Sequence, residues 1–131
     1  LRNGPPRLSP MRLTFLDRLT NTVEFFVHLE DVRRAQPNWE PRTLLDELES
    51  QLRTSITQGG RLFARKSPCG LVLQIAHGAS VVAKKGEPAV TVTGEVGELI
   101  MFVYGRQDHA RVELSGPDDL VQAVRSTAFG V

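Results

Sequence analysis

Residues 69–93 read CGLVLQIAHGASVVAKKGEPAVTVT and contain three short segments rich in β-branched and other apolar residues. The segments are 69–76, 79–84 and 89–93, and the connections between them are an HG turn and a KKGEP turn. Runs of this length and composition between turn residues are typical of β-strands. Because consecutive strands with short connections usually pair with each other, this stretch predicts a three-stranded antiparallel meander.

Upstream of these strands the sequence predicts two helices. Residues 14–35 contain neither proline nor glycine, and Pro37 follows them, so a helix is expected there. A second helix is expected from about Pro41 to about residue 65, although Gly59 and Gly60 should weaken or break it. Residues 1–13 include three prolines and are predicted to form a loop.

Downstream of the strands the pattern changes back to a helix. Residues 95–104 form a predicted helix that Gly105 closes as its C-terminal cap. A fourth strand is expected at 110–114, and a last helix begins at Pro117. The whole order predicts an α+β fold, in which one or two N-terminal helices precede a β-β-β-α-β-α domain with a mostly antiparallel sheet.

The composition of the chain is that of an ordinary soluble domain. Its 131 residues are 40% apolar and 24% charged, and the net charge of +1 provides no electrostatic case for binding to nucleic acid or to membranes. No stretch approaches the roughly 20 apolar residues of a membrane span. The single cysteine, Cys69, cannot form an internal disulfide, which favours a cytoplasmic protein. Because Cys69 opens an apolar run, it is predicted to be a buried strand residue.

The first predicted helix contains VEFFVHLEDVRRA (residues 23–35), in which Glu24 and His28 are four residues apart. On a helical wheel the polar residues of this helix fall in one sector of roughly 80°. They are Asp17, Asn21, Glu24, His28 and Asp31, and they offer only carboxylates, an amide and an imidazole. Glu24 and His28 could therefore be half of a metal site, or the stripe could face water or pair with Arg33 and Arg34. Asp31 lies about 10 Å farther along the axis and suits a supporting role better than direct ligation.

The remaining polar motifs are weaker signals. His77 lies in the HG turn and His109 precedes a strand, and both are interpreted as surface or capping residues. VTGEVGEL (residues 92–99) places two glycines near a helix start, which favours either an anion site or a plain strand-to-helix turn. The sequence contains no nucleophile elbow, no phosphate-binding glycine loop and no CxxC pair.

Four segments together carry a resemblance to a known family. They are NTVEFFVHLEDVRRAQPNWEPR (21–42), SPCGLVLQ (67–74), VVAKKGEPAVTVTGEVGELIMFVYGR (81–106) and ARVELSG (110–116). In this order they resemble the mycothiol-dependent maleylpyruvate isomerase family, and most of all its actinobacterial branch of metal-binding proteins. The resemblance implies that residues 1–36 are the last helix of a DinB-like four-helix bundle with its preceding loop. It also implies that residues 37–131 form the family's C-terminal α+β domain, which is related to the sterol-carrier fold.

The resemblance also implies a chemistry. In this family a divalent metal, usually zinc, is held by a histidine of an earlier bundle helix and by the Glu and His of an E-x-x-x-H motif, which here are Glu24 and His28. The metal lowers the pKa of a thiol, which is mycothiol in isomerising or transferase members. An arginine of the C-terminal domain helps to bind the anionic substrate, and the YGR turn makes Arg106 its counterpart. Without that resemblance, Arg106 is equally well interpreted as a solvated turn residue beside Asp108.

Two functional hypotheses follow. In the first, the chain is the C-terminal part of a metal-dependent, mycothiol-using isomerase or S-transferase that acts on a small molecule. The ligand histidine of the earlier helix then lies outside this sequence, and the isolated chain is expected to be inactive. In the second, the chain is a non-catalytic module that binds an apolar ligand or a protein partner. In either case the apolar residues of helix 14–35, including Phe25, Phe26, Val27 and Leu29, predict a homo-oligomer that covers them.

Overall fold

The computed structural model describes the backbone of residues 10–129 and the side chains of residues 21–129. Within that range the chain forms helices and one four-stranded sheet, which confirms the α+β class. The elements are α1 (Pro10–Arg34), α2 (Asp46–Phe63), β1 (Gly70–Ile75), β2 (Ser80–Lys84), β3 (Ala89–Gly94), α3 (Val96–Val103), a 3-10 turn (Gln107–His109), β4 (Glu113–Ser115) and α4 (Asp118–Arg125).

The sheet is mixed, with the strand order β2-β1-β3-β4. Strand β1 pairs with β2 antiparallel and with β3 parallel, while β3 and β4 are antiparallel. The predicted meander is therefore wrong, because β3 lies on the far side of β1 from β2. The connection between β2 and β3 passes the start of β1, where a Cβ atom on Gly70 would overlap the carbonyl oxygen of Gly86. Gly70 is thus required by this crossing.

The two N-terminal helices differ from their predicted limits. Residues 10–13 were predicted as loop but belong to α1, whose first residue is Pro10. A proline is tolerated in the first turn of a helix, so Pro10 does not prevent helix formation there. Residues 1–9 of the predicted loop lie outside the described residues. Helix α2 begins at Asp46 and not near Pro41, and its first turn carries three acidic residues that favour a helix N-terminus. It also continues through Gly60, because this buried glycine lets the helix approach β2 closely: an added Cβ would lie 3.4 Å from Val81 Cγ1.

Gly105 ends α3 as predicted. It has a φ of 86°, and its amide donates a hydrogen bond to the carbonyl of Phe102 at 3.3 Å. The amide of Arg106 donates to the carbonyl of Met101 at 2.9 Å. This pair of bonds is the Schellman arrangement, in which a residue with positive φ closes the helix. It fixes the backbone of Arg106 at the end of α3.

Helix α1 packs into the same core as the sheet and the other helices. Val23, Phe26 and Val27 are buried and join a cluster of buried side chains from α2, α3 and the strands. The opposite face of α1 leaves Phe25 at 72%, Leu29 at 42% and Val32 at 65% exposure. The apolar residues of this helix are therefore divided between a face that the domain itself covers and a face that it leaves in solvent.

Cys69 lies immediately before β1 and is half-buried, so the prediction of a buried strand residue is wrong on both counts. The hydroxyl of Ser67 donates to the carbonyl of Cys69 at 2.7 Å and closes the turn that leads into the strand. Among the described helices, none combines the length and apolar character needed to cross a bilayer.

Candidate functional site

Glu24 and His28 lie one turn apart on α1, as the helical spacing predicts. His28 is exposed and Glu24 is partly exposed, and the exposed side chains of Phe25 and Leu29 flank them. In the part of the chain that the structure describes, no group of three or more His, Cys, Asp or Glu side chains is arranged to hold a metal ion. The described residues therefore supply an accessible carboxylate and an accessible imidazole one helical turn apart.

Arg106 is bound to Asp31 of α1. Its Nε donates to Asp31 Oδ1 at 3.1 Å and its Nη2 donates to Asp31 Oδ2 at 2.8 Å, while Nη1 donates to the carbonyl of Tyr104 at 2.8 Å. The hydrogen bonds to Asp31 raise the pKa of the Arg106 guanidinium above its ordinary value. Arg106 is therefore not a free turn residue beside Asp108. Its side chain and that of Asp31 remain 32% and 36% exposed, and two of the five guanidinium N–H groups keep no partner in the described structure.

Tyr104 connects this pair with Glu24. Its ring packs edge-on against Phe63, with 5.7 Å between ring centroids, and the Arg106 guanidinium carbon lies 6.0 Å from the Tyr104 centroid. Burial raises the pKa of the Tyr104 hydroxyl, and the negative charge of Glu24 raises it further, while Arg106 acts in the opposite direction. Glu24, His28, Asp31, Tyr104 and Arg106 thus form one surface region, which we call the α1–YGR surface.

A second polar cluster, which the sequence did not predict, lies on the buried side of α1. Glu30 is fully buried on α1 and accepts hydrogen bonds from Arg34 at 3.0 Å, Arg42 at 2.9 Å and Arg33 at 2.8 Å. Burial alone would raise the pKa of the Glu30 carboxyl, but these three arginines outweigh it and hold the pKa below its ordinary value. The signal that was available is a Glu followed by Arg three and four residues later within an otherwise apolar helix.

Arg34 extends this cluster from α1 to α3. Its Nη1 and Nη2 donate to the two carboxylate oxygens of Glu98 at 2.8 and 2.6 Å, and Nη1 also donates to the carbonyl of His109. Burial works to lower the pKa of Arg34, but Glu98 and Glu30 raise it. The Trp39 ring has the Arg34 and Arg111 guanidinium carbons at 4.6 Å each from its centroid. This network therefore fixes α1 against the start of α3.

A cavity of about 320 Å³ opens beside the network, between α1, the segment 41–44 and the start of α3. Charged residues supply half of its lining: Glu30, Arg34, Arg42, Glu49, Glu95 and Glu98. Gly97 gives α1 room here, because an added Cβ would lie 3.1 Å from Phe26 Cζ. Four carboxylates against two arginines make the helix start of VTGEVGEL a poor anion site, so its glycines serve a strand-to-helix turn and close packing.

The other two histidines lie outside the α1–YGR surface. His77 is exposed in the turn between β1 and β2 with a φ of 56°. His109 is an exposed residue of the 3-10 turn whose carbonyl accepts from Arg34. Both agree with the prediction of surface residues.

Comparison of the chain with protein-family models, with curated proteins and with solved structures finds no match.

Proposed function

We propose that this chain is part of a divalent-metal-dependent, thiol-using isomerase or S-transferase of the cytoplasm, and that it contributes Glu24 and His28 as two of the metal ligands. One observation carries the proposal: an accessible carboxylate and an accessible imidazole lie one helical turn apart, beside an arginine that Asp31 holds in place. Zinc accepts this combination of oxygen and nitrogen ligands, and its sites need at least one more protein ligand. That ligand is the histidine of an earlier bundle helix outside the described residues.

The exposed side chains of α1 support the same arrangement. Phe25, Leu29 and Val32 lie next to Glu24 and His28 and are left uncovered by the domain. A helix that supplies a third ligand from that side would also bury these three side chains, and burial of each is worth about 1.5–3 kcal/mol. A single additional helix packed on this side of α1 would therefore supply the third ligand and also bury the exposed apolar side chains.

The remaining residues of the α1–YGR surface bind the substrate or hold the side chain that binds it. A bound metal would supply Lewis acidity that lowers the pKa of a thiol such as mycothiol. Arg106 offers its two remaining N–H groups to an anionic group of a small-molecule substrate, and Asp31 holds the guanidinium in place. Tyr104 packs on Phe63 at the base of this surface.

The alternative is a non-catalytic binding module. An apolar small-molecule ligand would need an apolar cavity, whereas the cavity beside α3 is lined by four carboxylates and two arginines. A protein partner is better supported, because Phe25, Leu29 and Val32 form an exposed apolar face on α1 that a second copy of the chain could cover. In this alternative Glu24 and His28 bind no metal.

Metal analysis of the full-length protein separates the two functions. The metal-dependent enzyme should retain about one equivalent of zinc after gel filtration, and His28→Ala should abolish it. His109→Ala removes another exposed histidine and serves as the control, with unchanged zinc content. Stoichiometric zinc in the His28→Ala protein would refute the assignment of the ligands. An assay for addition of the mycothiol thiol to an electrophile, catalysed by the zinc-loaded protein, then tests the reaction class.

A further inference from the structure

Four basic side chains meet at the end of α2 and β2. Arg61, Arg65, Lys84 and Lys85, together with Ala83, line a cavity of about 330 Å³. No carboxylate is among these lining residues, and mainly apolar atoms form the wall, as expected where the aliphatic stems of Arg and Lys lie against Ala83. We call this recess the basic pocket.

The packing of α2 on β2 explains why these cations come together. Gly60 is buried against β2, where an added Cβ would lie 3.4 Å from Val81 Cγ1 and 3.9 Å from Ala83 Cβ. A glycine at this position lets the helix lie close to the strand. The side chains that follow Gly60 on the helix and Ala83 on the strand are consequently held on the two sides of one recess.

Local groups compensate only part of this positive charge. Lys84 Nζ donates to the carbonyls of Arg65 at 3.1 Å and Ser67 at 2.7 Å, so one ammonium is used to hold the turn that follows α2. The helix C-terminus is equivalent to about half a negative charge. Arg61, Arg65 and Lys85 are exposed, and within residues 21–129 none of the three forms an ion pair with a carboxylate.

A neighbouring cavity shares the two lysines and also has acidic residues in its lining. Glu87 and Asp119 line it together with Lys84 and Lys85. Neither of these two acidic residues lines the basic pocket. An excess of positive charge therefore remains on the side of Arg61 and Arg65.

We propose that the basic pocket binds a soluble small molecule through a multiply charged phosphate group. Arginine and lysine are the side chains that proteins use for phosphate, arginine through paired N–H groups and lysine as a point charge. The volume of about 330 Å³ lies at the small end of the range for ligand pockets. A small open recess with cations on two sides suits a compact ligand, whereas a nucleic acid or a membrane would need an extended basic surface. The site is separate from the α1–YGR surface and does not depend on metal binding.

Calorimetric titration of the intact chain with inorganic pyrophosphate tests the proposal. Saturable binding with one site per chain is expected, and added salt should weaken it. The double variant Arg61→Gln/Lys85→Gln should lose at least about tenfold in affinity, because two of the charges that face the ligand are removed. Lys84 is kept, since its hydrogen bonds hold the turn between α2 and β1.

The matched control is Arg53→Gln/Arg125→Gln, which changes the net charge by the same amount without altering the pocket. It should bind pyrophosphate like the unmodified chain. The proposal is overturned if pyrophosphate does not saturate a single site, or if the two double variants lose affinity equally. Binding to vesicles that contain phosphatidic acid, without binding to free pyrophosphate, would also overturn it.

Discussion

The substitution Glu98→Gln should destabilise the protein far more than its small chemical change suggests. Glu98 is 6% exposed and Arg34 is 4% exposed. The Glu98 carboxylate accepts two hydrogen bonds from Arg34, at 2.8 and 2.6 Å, and one from the amide of Arg111 at 2.9 Å. Glutamine removes the negative charge and places an amide donor opposite a buried guanidinium.

The magnitude follows from the contacts that remain. Removing one partner of a buried ion pair costs about 3–5 kcal/mol, because the other charge is left without compensation. Arg34 keeps its 3.0 Å bond to Glu30, which favours the lower end of that range. We therefore expect the free energy of unfolding to fall by about 3 kcal/mol. With a urea dependence of about 1.5 kcal/mol per molar, the unfolding midpoint should fall by about 2 M.

Trp39 supplies the assay. It is the only tryptophan in the chain, and the guanidinium carbons of Arg34 and Arg111 each lie 4.6 Å from its ring centroid. Its fluorescence therefore reports on the network, while circular dichroism follows the helices. The control is Asp31→Asn, which breaks the other ion pair between α1 and the end of α3. Because Asp31 and Arg106 are 36% and 32% exposed, this change should cost less than about 1 kcal/mol.

A paired replacement completes the test. Arg34→Met combined with Glu98→Leu removes both charges of the buried pair, so the double variant should be more stable than Glu98→Gln alone. Glu30 keeps Arg33 and Arg42 as partners in that variant. The reasoning fails if Glu98→Gln costs no more than Asp31→Asn, or if the double variant is as unstable as the sum of its single changes.

Three further results are expected. The arginine partners of Glu30 outweigh its burial and lower its pKa, so ionised Glu30 stabilises the fold fully above the pKa of a free glutamate, and this stabilisation is lost as the pH falls through the pKa of the folded state. Glu30→Gln should therefore flatten the pH dependence of the urea midpoint in that acidic range, and an unchanged slope would contradict this. Tyr104 is the only tyrosine, so alkaline phenolate absorbance measures its pKa directly, and Glu24→Gln should lower that pKa whereas Glu47→Gln should not. Phe25→Ser should weaken the self-association of the chain in sedimentation experiments, and a monomeric unmodified chain with α1 folded would count against an interface on this helix.

Local sequence signals predicted the elements of the fold better than their arrangement. The strands within 69–93 were predicted from short β-branched and apolar runs, and the cap from a single glycine, Gly105, and both features are present. The pairing of β1 with β3 was not predictable from these signals, since a short connection between β2 and β3 favours a hairpin. That connection crosses the start of β1 only because Gly70 and Gly86 pack against each other. Contacts between residues so far apart leave no mark in local composition.

In the candidate site, too, local features were predictable from the sequence, whereas contacts between distant residues were not. The spacing of Glu24 and His28 on one helical face is a local property, and the structure has it. Asp31 and Arg106 are 75 positions apart, and their bidentate contact depends on how α1 lies on α3. Arg33 and Arg34 were candidate partners for the exposed polar stripe, but both pair with the buried Glu30, which lies on the other side of the helix. The direction in which a charged side chain turns is decided by tertiary packing.

The two edges of the sheet influence how copies of this chain can meet. Strand β2 forms one edge and ends at Lys84, which Lys85 follows, and β4 forms the other edge with only three residues. Charged and very short edge strands prevent a second chain from extending the sheet by backbone hydrogen bonding. Aggregation through added strands is thus suppressed on both sides. Self-association through the exposed apolar face of α1, which stays a prediction, would instead use side-chain packing that dilution can reverse.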